Sequence, residues 1–302
     1  MRLTRSGSSK KLLVISISCG ENELNESLHS ISSQTGVFLD LVEIRNLPNS
    51  EAHRQLYKTI MRNVSNYELF VKIDGDMVLK SNTVLSEMVD YFVANPSLDH
   101  AVFSVLDWFS QSALMGLHVF SNRCDWPSLD DDLFVDPTPV FPGDEKLVWT
   151  DPSPVAWHAS NPSNEQSFRF GYHRYLKILQ RGTSRPSFRR AEFHYDLLTL
   201  VYKQLKLDPD PRRIIALYGC YCAKNSQDSG YTSDRIISER DYMGVFDTNA
   251  QLKNEDFSEI IKNIDSMWEG RFAWKTFFQS EIFNAWIRQG VSKVKSHLFI
   301  KN

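Results

Sequence analysis

The first third of the chain switches repeatedly between a short apolar period and a helical one. Residues 12–19, Leu-Leu-Val-Ile-Ser-Ile-Ser-Cys, form an apolar run ended by Gly20, which predicts a buried strand. Leu24, Leu28 and Ile31 then recur at helical spacing, so residues 22–34 predict a helix that stops at Gly36. Residues 37–45 predict a second strand. Pro48, Asn49 and Ser50 supply a turn and a cap, and residues 51–64 a second helix. The run 70–73 is a third strand. Ser81 or Asn82 caps a third helix that Asn95-Pro96 stops, and residues 102–106 make a fourth strand.

This β-α-β-α-β-α-β alternation predicts an α/β fold with a mostly parallel sheet covered by helices. Ligands on such sheets bind beyond the carboxyl ends of the strands. Residues 115–121 read as a further short strand. Residues 124–155 carry six prolines and many aspartates without helical period, and read as a long loop region over the sheet. Its aromatics, Trp126, Phe134, Phe141 and Trp149, argue against disorder and suit either stacking on a ligand or a satellite core. From Glu165 onward the pattern is helical, with breaks near 182–187, 208–211 and 230–233. The expected division is a domain over 1–180, with residues 10–106 as its ligand-binding half and 107–164 as loops, followed by a mainly helical extension over 181–302.

Composition narrows the class. A net charge of -3 spread over 302 residues gives no basic surface for nucleic acid. Cys19, Cys124, Cys220 and Cys222 lack zinc-site spacing and are too sparse for a disulfide framework, so they read as free thiols in a reducing cytoplasm. No stretch reaches the roughly 18 apolar residues that a membrane span needs. Basic residues gather at both ends (Arg2, Arg5, Lys10 and Lys11; Lys293, Lys295 and Lys301). The expectation is a cytoplasmic protein with at most peripheral contact with the inner face of a membrane.

The chemistry concentrates where the third strand ends. Phe-Val-Lys-Ile-Asp-Gly-Asp (70–76) runs from an apolar strand into two carboxylates separated by one glycine. Alternate side chains of a strand share a face, so Asp74 and Asp76 can address one site. Gly75 permits a close approach or a tight turn. Adjacent buried carboxylates need a positive partner, and hard oxygen ligands suit Mg²⁺ or Mn²⁺ carrying a diphosphate. The bland alternative, two aspartates capping the helix after Ser81, places them several residues too early.

Four segments taken together resemble a family 2-like glycosyltransferase of the GT-A fold. They are Leu24–Thr35 with its Ser30-Ile31-Ser32-Ser33-Gln34 ending, Ala52-His53-Arg54-Gln55, the run Tyr67–Asp76 into the Asp-x-Asp motif, and Asn95-Pro96 closing the next helix. The sequence departs from the family in ending its second strand at Glu43-Ile44-Arg45-Asn46 and in carrying Gln55. The resemblance implies a GT-A domain and transfer of a sugar from a nucleotide-sugar donor to a glycan or lipid-linked acceptor, with inversion. It implies Asp76 as the metal ligand and Asp74 as its assistant, with Glu43 and Arg54 on the donor. It further implies a third ligand, His158 in 153–162, with His118 as its rival, and a catalytic base at Glu165, with Asp144 as its rival. A basic face on the same helix (Arg169, His173, Arg174, Lys177) is a candidate for the diphosphate. Two other functions stay open: a nucleotidyltransferase that makes the activated sugar, and a non-catalytic glycan-binding subunit.

Overall fold

The computed structural model describes residues 11–126, 141–150, 153–179, 188–228 and 257–269. Strand β1 (Lys11–Ser18) is buried on both faces, as its unbroken apolar run requires, and lies between β2 (Phe38–Arg45) and β3 (Leu69–Asp74), parallel to both. Strand β2 forms the sheet edge. Helices α1 (Leu24–Ser32) and α2 (Asn49–Asn63) make the crossovers. Leu13, Ile15, Ile44 and Phe70 of the sheet pack against Ala52, Leu56, Tyr57 and Ile60 of α2. Trp126, expected in a loop, is 6% exposed in this same core, stacked on Tyr57 at 5.0 Å between ring centres. Phe141 packs against it, Trp149 is exposed, and Phe134 lies outside the described residues.

Beyond β3 the sheet departs from the expected order. Strand β5 (Leu98–Asp107) does not lie beside β3. Strand β6 (Ser112–Ser121) folds back from it and inserts between the two, antiparallel to both. Two short strands follow within the expected loop region, β7 (Asp144–Val148) and β8 (Ala156–His158), both parallel to β5. Strand β4 (Met77–Leu79) closes the path antiparallel to β8, giving the order β2-β1-β3-β6-β5-β8-β4 with β7 beside β5. Helix α3 (Val84–Ala94) is capped differently from expectation. Gln34, at the end of α1, accepts from the Leu85 N–H at 2.9 Å and donates to the Ser81 carbonyl at 2.7 Å. A side chain 51 residues away thus satisfies a first-turn donor.

The chain divides at Pro162/Ser163 into two compact units. The second contains α4 (Asn164–Leu179), α5 (Phe188–Leu207), α6 (Pro211–Asp228) and α7 (Ser258–Glu269). Helix α4 opens with a reciprocal cap: Ser163 Oγ accepts from the Gln166 N–H at 3.1 Å, and the Ser163 N–H donates to Gln166 Oε1 at 2.8 Å. Helices α4 and α6 meet through glycines. A Cβ on Gly171 would lie 1.6 Å from the Ala216 carbonyl oxygen, and one on Gly219 2.2 Å from that of Phe168. Backbone is the obstacle in both cases, so the helices would have to separate. Gly171→Ala is expected to destabilise the protein by about 3 kcal/mol or more, read as a lowered urea midpoint. An unchanged midpoint would contradict this packing.

Among the described residues no helix is long and apolar enough to cross a membrane. The basic termini lie outside the described residues except for Lys11. Its ammonium pairs with Asp40 at 2.9 Å and sits 4.6 Å from the Tyr67 ring centre, so it is engaged within the sheet. None of the four cysteines forms a disulfide. Burial pushes the Cys124 and Cys222 thiols up to about 12 and that of Cys220 higher still, as befits small apolar packing groups.

Candidate functional site

The carboxyl ends of β1, β3 and β5 carry the acidic residues. Asp74 is the last residue of β3, paired in register with Ile17, and forms an ion pair with Lys72 at 3.3 Å. The turn at Gly75 is tight against β1. Its N–H donates to the Ile17 carbonyl at 2.7 Å, and a Cβ there would lie 2.7 Å from Ser18 Cβ and 2.9 Å from Glu21 Oε2. Only glycine brings the Asp74–Asp76 turn this close to the β1–α1 loop. That loop adds Glu21, which accepts from the Cys19 N–H at 2.7 Å, and Glu23, which accepts from the Asn161 N–H at 2.7 Å.

Asp76 lies past the turn with its side chain 22% exposed. Its Oδ1 is buried and has no hydrogen-bond partner. Burial pushes the Asp76 carboxyl up from 3.8 to about 6; His158 opposes the rise, while Asp74, Glu21 and Glu23 add to it. An orphaned carboxylate oxygen among further carboxylates is costly unless a positive group offsets it.

His158 faces Asp76 from the end of β8. Met77 pairs with His158 across the β4–β8 ladder, and the Ala159 N–H donates to the Asp76 carbonyl at 2.9 Å. Ala159 adopts φ +50°, a left-handed conformation costly for a residue with a Cβ, so the chain turns sharply just after the imidazole. The His158 Nε2 lies 3.5 Å from Asp76 Oδ2. Its other nitrogen, Nδ1, lies 2.8 Å from Asp107 Oδ1. Asp107 ends β5, pairs in register with His158, and is 0% exposed. Its Oδ2 accepts from both the N–H and the Oγ–H of Ser110, at 2.8 and 2.6 Å. Burial acts to raise the Asp107 carboxyl, but the bonds from His158 and Ser110 outweigh it and hold it below the usual value. Asp107 was not foreseen from the sequence. Its only local signal is an apolar run ending in Asp with Ser three residues on.

These donors fit a divalent ion. Two ligands about 2.1 Å from one ion stand about 3–3.5 Å apart, which matches the Asp76–His158 separation. Among the described residues no group of three or more His, Cys, Asp or Glu side chains forms a metal cage. The remaining positions would fall to water or to oxygen atoms of a bound ligand.

Other expected site residues are placed differently. His118 lies within β6, with Nδ1 3.1 Å from His100 Nε2, so it is taken up by a stacked histidine pair and not by the acidic cluster. Asp144 begins β7 opposite Leu98, nine residues along β5 from Asp107, or about 30 Å at strand rise. It accepts from Ser97 Oγ at 2.7 Å, and the fold does not bring it to His158. Glu43 pairs with Ser16, the residue before Asp74's partner Ile17, so it faces the other side of the sheet and is held by Arg45. Arg54 is half-buried on α2. Glu165 is exposed in the first turn of α4, in the second unit. On the same helix Arg174 lies 3.3 Å from His194 of α5. Burial, with Arg174, Lys177, His173 and Arg190 nearby, holds His194 well below its ordinary value.

No protein-family model and no curated protein matches the chain. Solved structures similar to it include a mannosyltransferase, PcManGT, from Pyrobaculum calidifontis in complex with GDP-Man and Mn2+. It is 14% identical over 91% of this chain and 86% of that one, with a TM-score of 0.33. Another is a glycosyltransferase involved in glycosylation of the major capsid of PBCV-1, 14% identical over 36% of this chain and 59% of that one, with a TM-score of 0.25. At these scores neither likeness carries an argument about fold or chemistry.

Proposed function

We propose that this chain is a metal-dependent glycosyltransferase of the GT-A type, moving a sugar from a nucleotide-sugar donor to a glycan or lipid-linked acceptor with inversion. The observation that carries the reading is the pairing of Asp76, with its orphaned buried oxygen, and His158 at the carboxyl end of a mostly parallel sheet. That is where α/β sheets bind nucleotides. Asp76 and His158 would hold Mn²⁺ or Mg²⁺, and Asp74 would assist through the donor ribose or a metal-bound water. The ion, when bound, offsets the negative charge that develops on the diphosphate leaving group.

The chain's own residues do the rest. Gly75 lets the donor-binding turn pack on β1, and Asp107 orients His158. Glu165 takes the proton from the acceptor hydroxyl, a role an inverting transfer gives to a carboxylate. Arg54 contributes on the donor side. A cytoplasmic location, with at most peripheral membrane contact, completes the proposal. The acidic β1–α1 loop, with Glu21 and Glu23, tells against the nucleotidyltransferase alternative, which needs a basic, glycine-rich loop there.

A thermal-shift screen of nucleoside diphosphates and nucleotide-sugars, with and without Mn²⁺, tests this reading. A ligand specific to the native state raises the midpoint, so the donor identifies itself. Midpoints unmoved by any nucleotide in Mn²⁺ would contradict it.

A further inference from the structure

Resting on the metal-binding reading above, we propose that Asp107 and Ser110 act as a tautomer lock on His158, fixing the proton on Nδ1 and keeping the Nε2 lone pair turned toward the ion. Asp107 and Ser110 touch neither donor nor ion in this scheme, so they are positioning residues.

A carboxylate only accepts hydrogen bonds. Asp107 Oδ2 is committed to two donors from Ser110, its N–H and its Oγ–H. The remaining oxygen, Oδ1, lies 2.8 Å from His158 Nδ1 and must receive a proton from it. In a neutral imidazole one nitrogen carries the hydrogen and the other the lone pair. With Nδ1–H spoken for, the lone pair falls on Nε2, the nitrogen 3.5 Å from Asp76 Oδ2. Full burial of Asp107 removes water as a competing partner. The register pair Asp107–His158 joins the β5 and β8 backbones at this point, and the Trp108 N–H donates to the His158 carbonyl at 3.1 Å. The lock is therefore held by main chain as well as side chains. A carboxylate behind a ligating histidine is a general device for fixing ring orientation and tautomer.

Asparagine at position 107 inverts the lock. The Ser110 N–H needs an acceptor, so the amide oxygen stays on that side and the NH₂ group turns to His158. Nδ1 must then accept, and the hydrogen moves to Nε2, where it blocks metal ligation. The substitution keeps size and shape, so a loss of metal affinity would come from the wrong tautomer and not from a cavity.

The experiment has two arms. Long-range ¹H–¹⁵N spectra of the imidazole rings, at about pH 9 where an ordinary histidine is neutral, report the tautomer without any metal. The His158 signal is assigned by its loss in His158→Gln. The wild-type ring is expected as Nδ1–H and the ring in Asp107→Asn as Nε2–H. A wild-type Nε2–H ring would overturn the proposal even if Asp107→Asn failed to fold. The second arm titrates Mn²⁺ alone by electron paramagnetic resonance. Asp107→Asn should weaken binding about 10–100-fold. An Asn variant that kept both the wild-type tautomer and the wild-type Mn²⁺ affinity would also overturn it. Should the wild type bind no Mn²⁺ while showing the Nδ1–H ring, the lock stands and the metal reading falls.

Discussion

Replacing Asp76 by asparagine should abolish metal-dependent transfer and, in the same protein, raise the stability of the metal-free fold. The first effect follows from losing the ionised oxygen ligand. Charge stabilisation worth several kcal/mol disappears, so turnover should fall by about 10³-fold or more. The second follows from the raised carboxyl. The folded chain holds the Asp76 proton up to about pH 6, whereas an unperturbed aspartate loses it near 3.8. Between these values the native state binds more protons than the unfolded state, so metal-free stability falls as pH rises through that window. The penalty is fully present above about pH 6, and Asn removes it, a gain of about 1–3 kcal/mol at pH 8. Below about pH 4 the gain should vanish, because Asp76 is then neutral in both states. Thermal unfolding of both proteins at pH 4 and pH 8, with chelator present, checks the sign. A variant less stable than wild type at pH 8 would show that the carboxylate is a structural anchor and not a cation site.

Glu165→Gln should leave donor binding near the wild-type value while cutting turnover by about 10²–10⁴-fold, the range for loss of a general base. The Ser163–Gln166 bonds already cap α4, so the fold does not need Glu165 for that purpose. Its charge at the helix N-terminus is worth only about 0.3–1 kcal/mol. Stability should therefore change little, and the two roles separate cleanly in kinetics. Near-wild-type turnover would return Glu165 to the helix dipole and leave the base to be found among other carboxylates.

The parts of the fold that were legible are those in which local pattern and tertiary role agree. Leu12–Ile15 form an unbroken apolar run because β1 is covered on both faces and flanked by strands on both sides. Leu56 and Ile60 recur at helical spacing because α2 lies on one face of that sheet. The order of the sheet beyond β3 was not legible. Whether 115–121 pairs outside or inside the row depends on a hairpin turn at 108–111, where Gln111 takes φ +52°, and no periodicity records that choice. Strand β7, Asp-Glu-Lys-Leu-Val, was missed because it is exposed along most of its length and so shows no buried run. Trp126 looked like a loop aromatic because the residues around it have no period, yet one side chain reaching Tyr57 and Phe120 suffices for burial.

The candidate site divides in the same way. Asp74, Gly75 and Asp76 were legible because a strand end, a glycine and two carboxylates form one local statement. His158 was nameable only through the family resemblance, and the fold sets it 3.5 Å from Asp76. Asp107 was invisible because its meaning lies in a pairing across 51 residues, which sequence spacing does not encode. Asp144 and Glu43 show the converse. Each is a plausible carboxylate by position in the chain, but strand register sets Asp144 at the other end of β5 from Asp107 and turns Glu43 to the sheet face opposite Asp74.

In the proposed function a divalent ion joins Asp76 and His158 to a nucleoside diphosphate. Calorimetric titration of the intact protein with the diphosphate that emerges from the thermal-shift screen, in Mn²⁺ and again in chelator, tests that link directly. Binding should be seen in Mn²⁺, vanish in chelator, and be lost in both conditions for Asp76→Ala with the fold retained. Equal affinity with and without the metal would contradict the account.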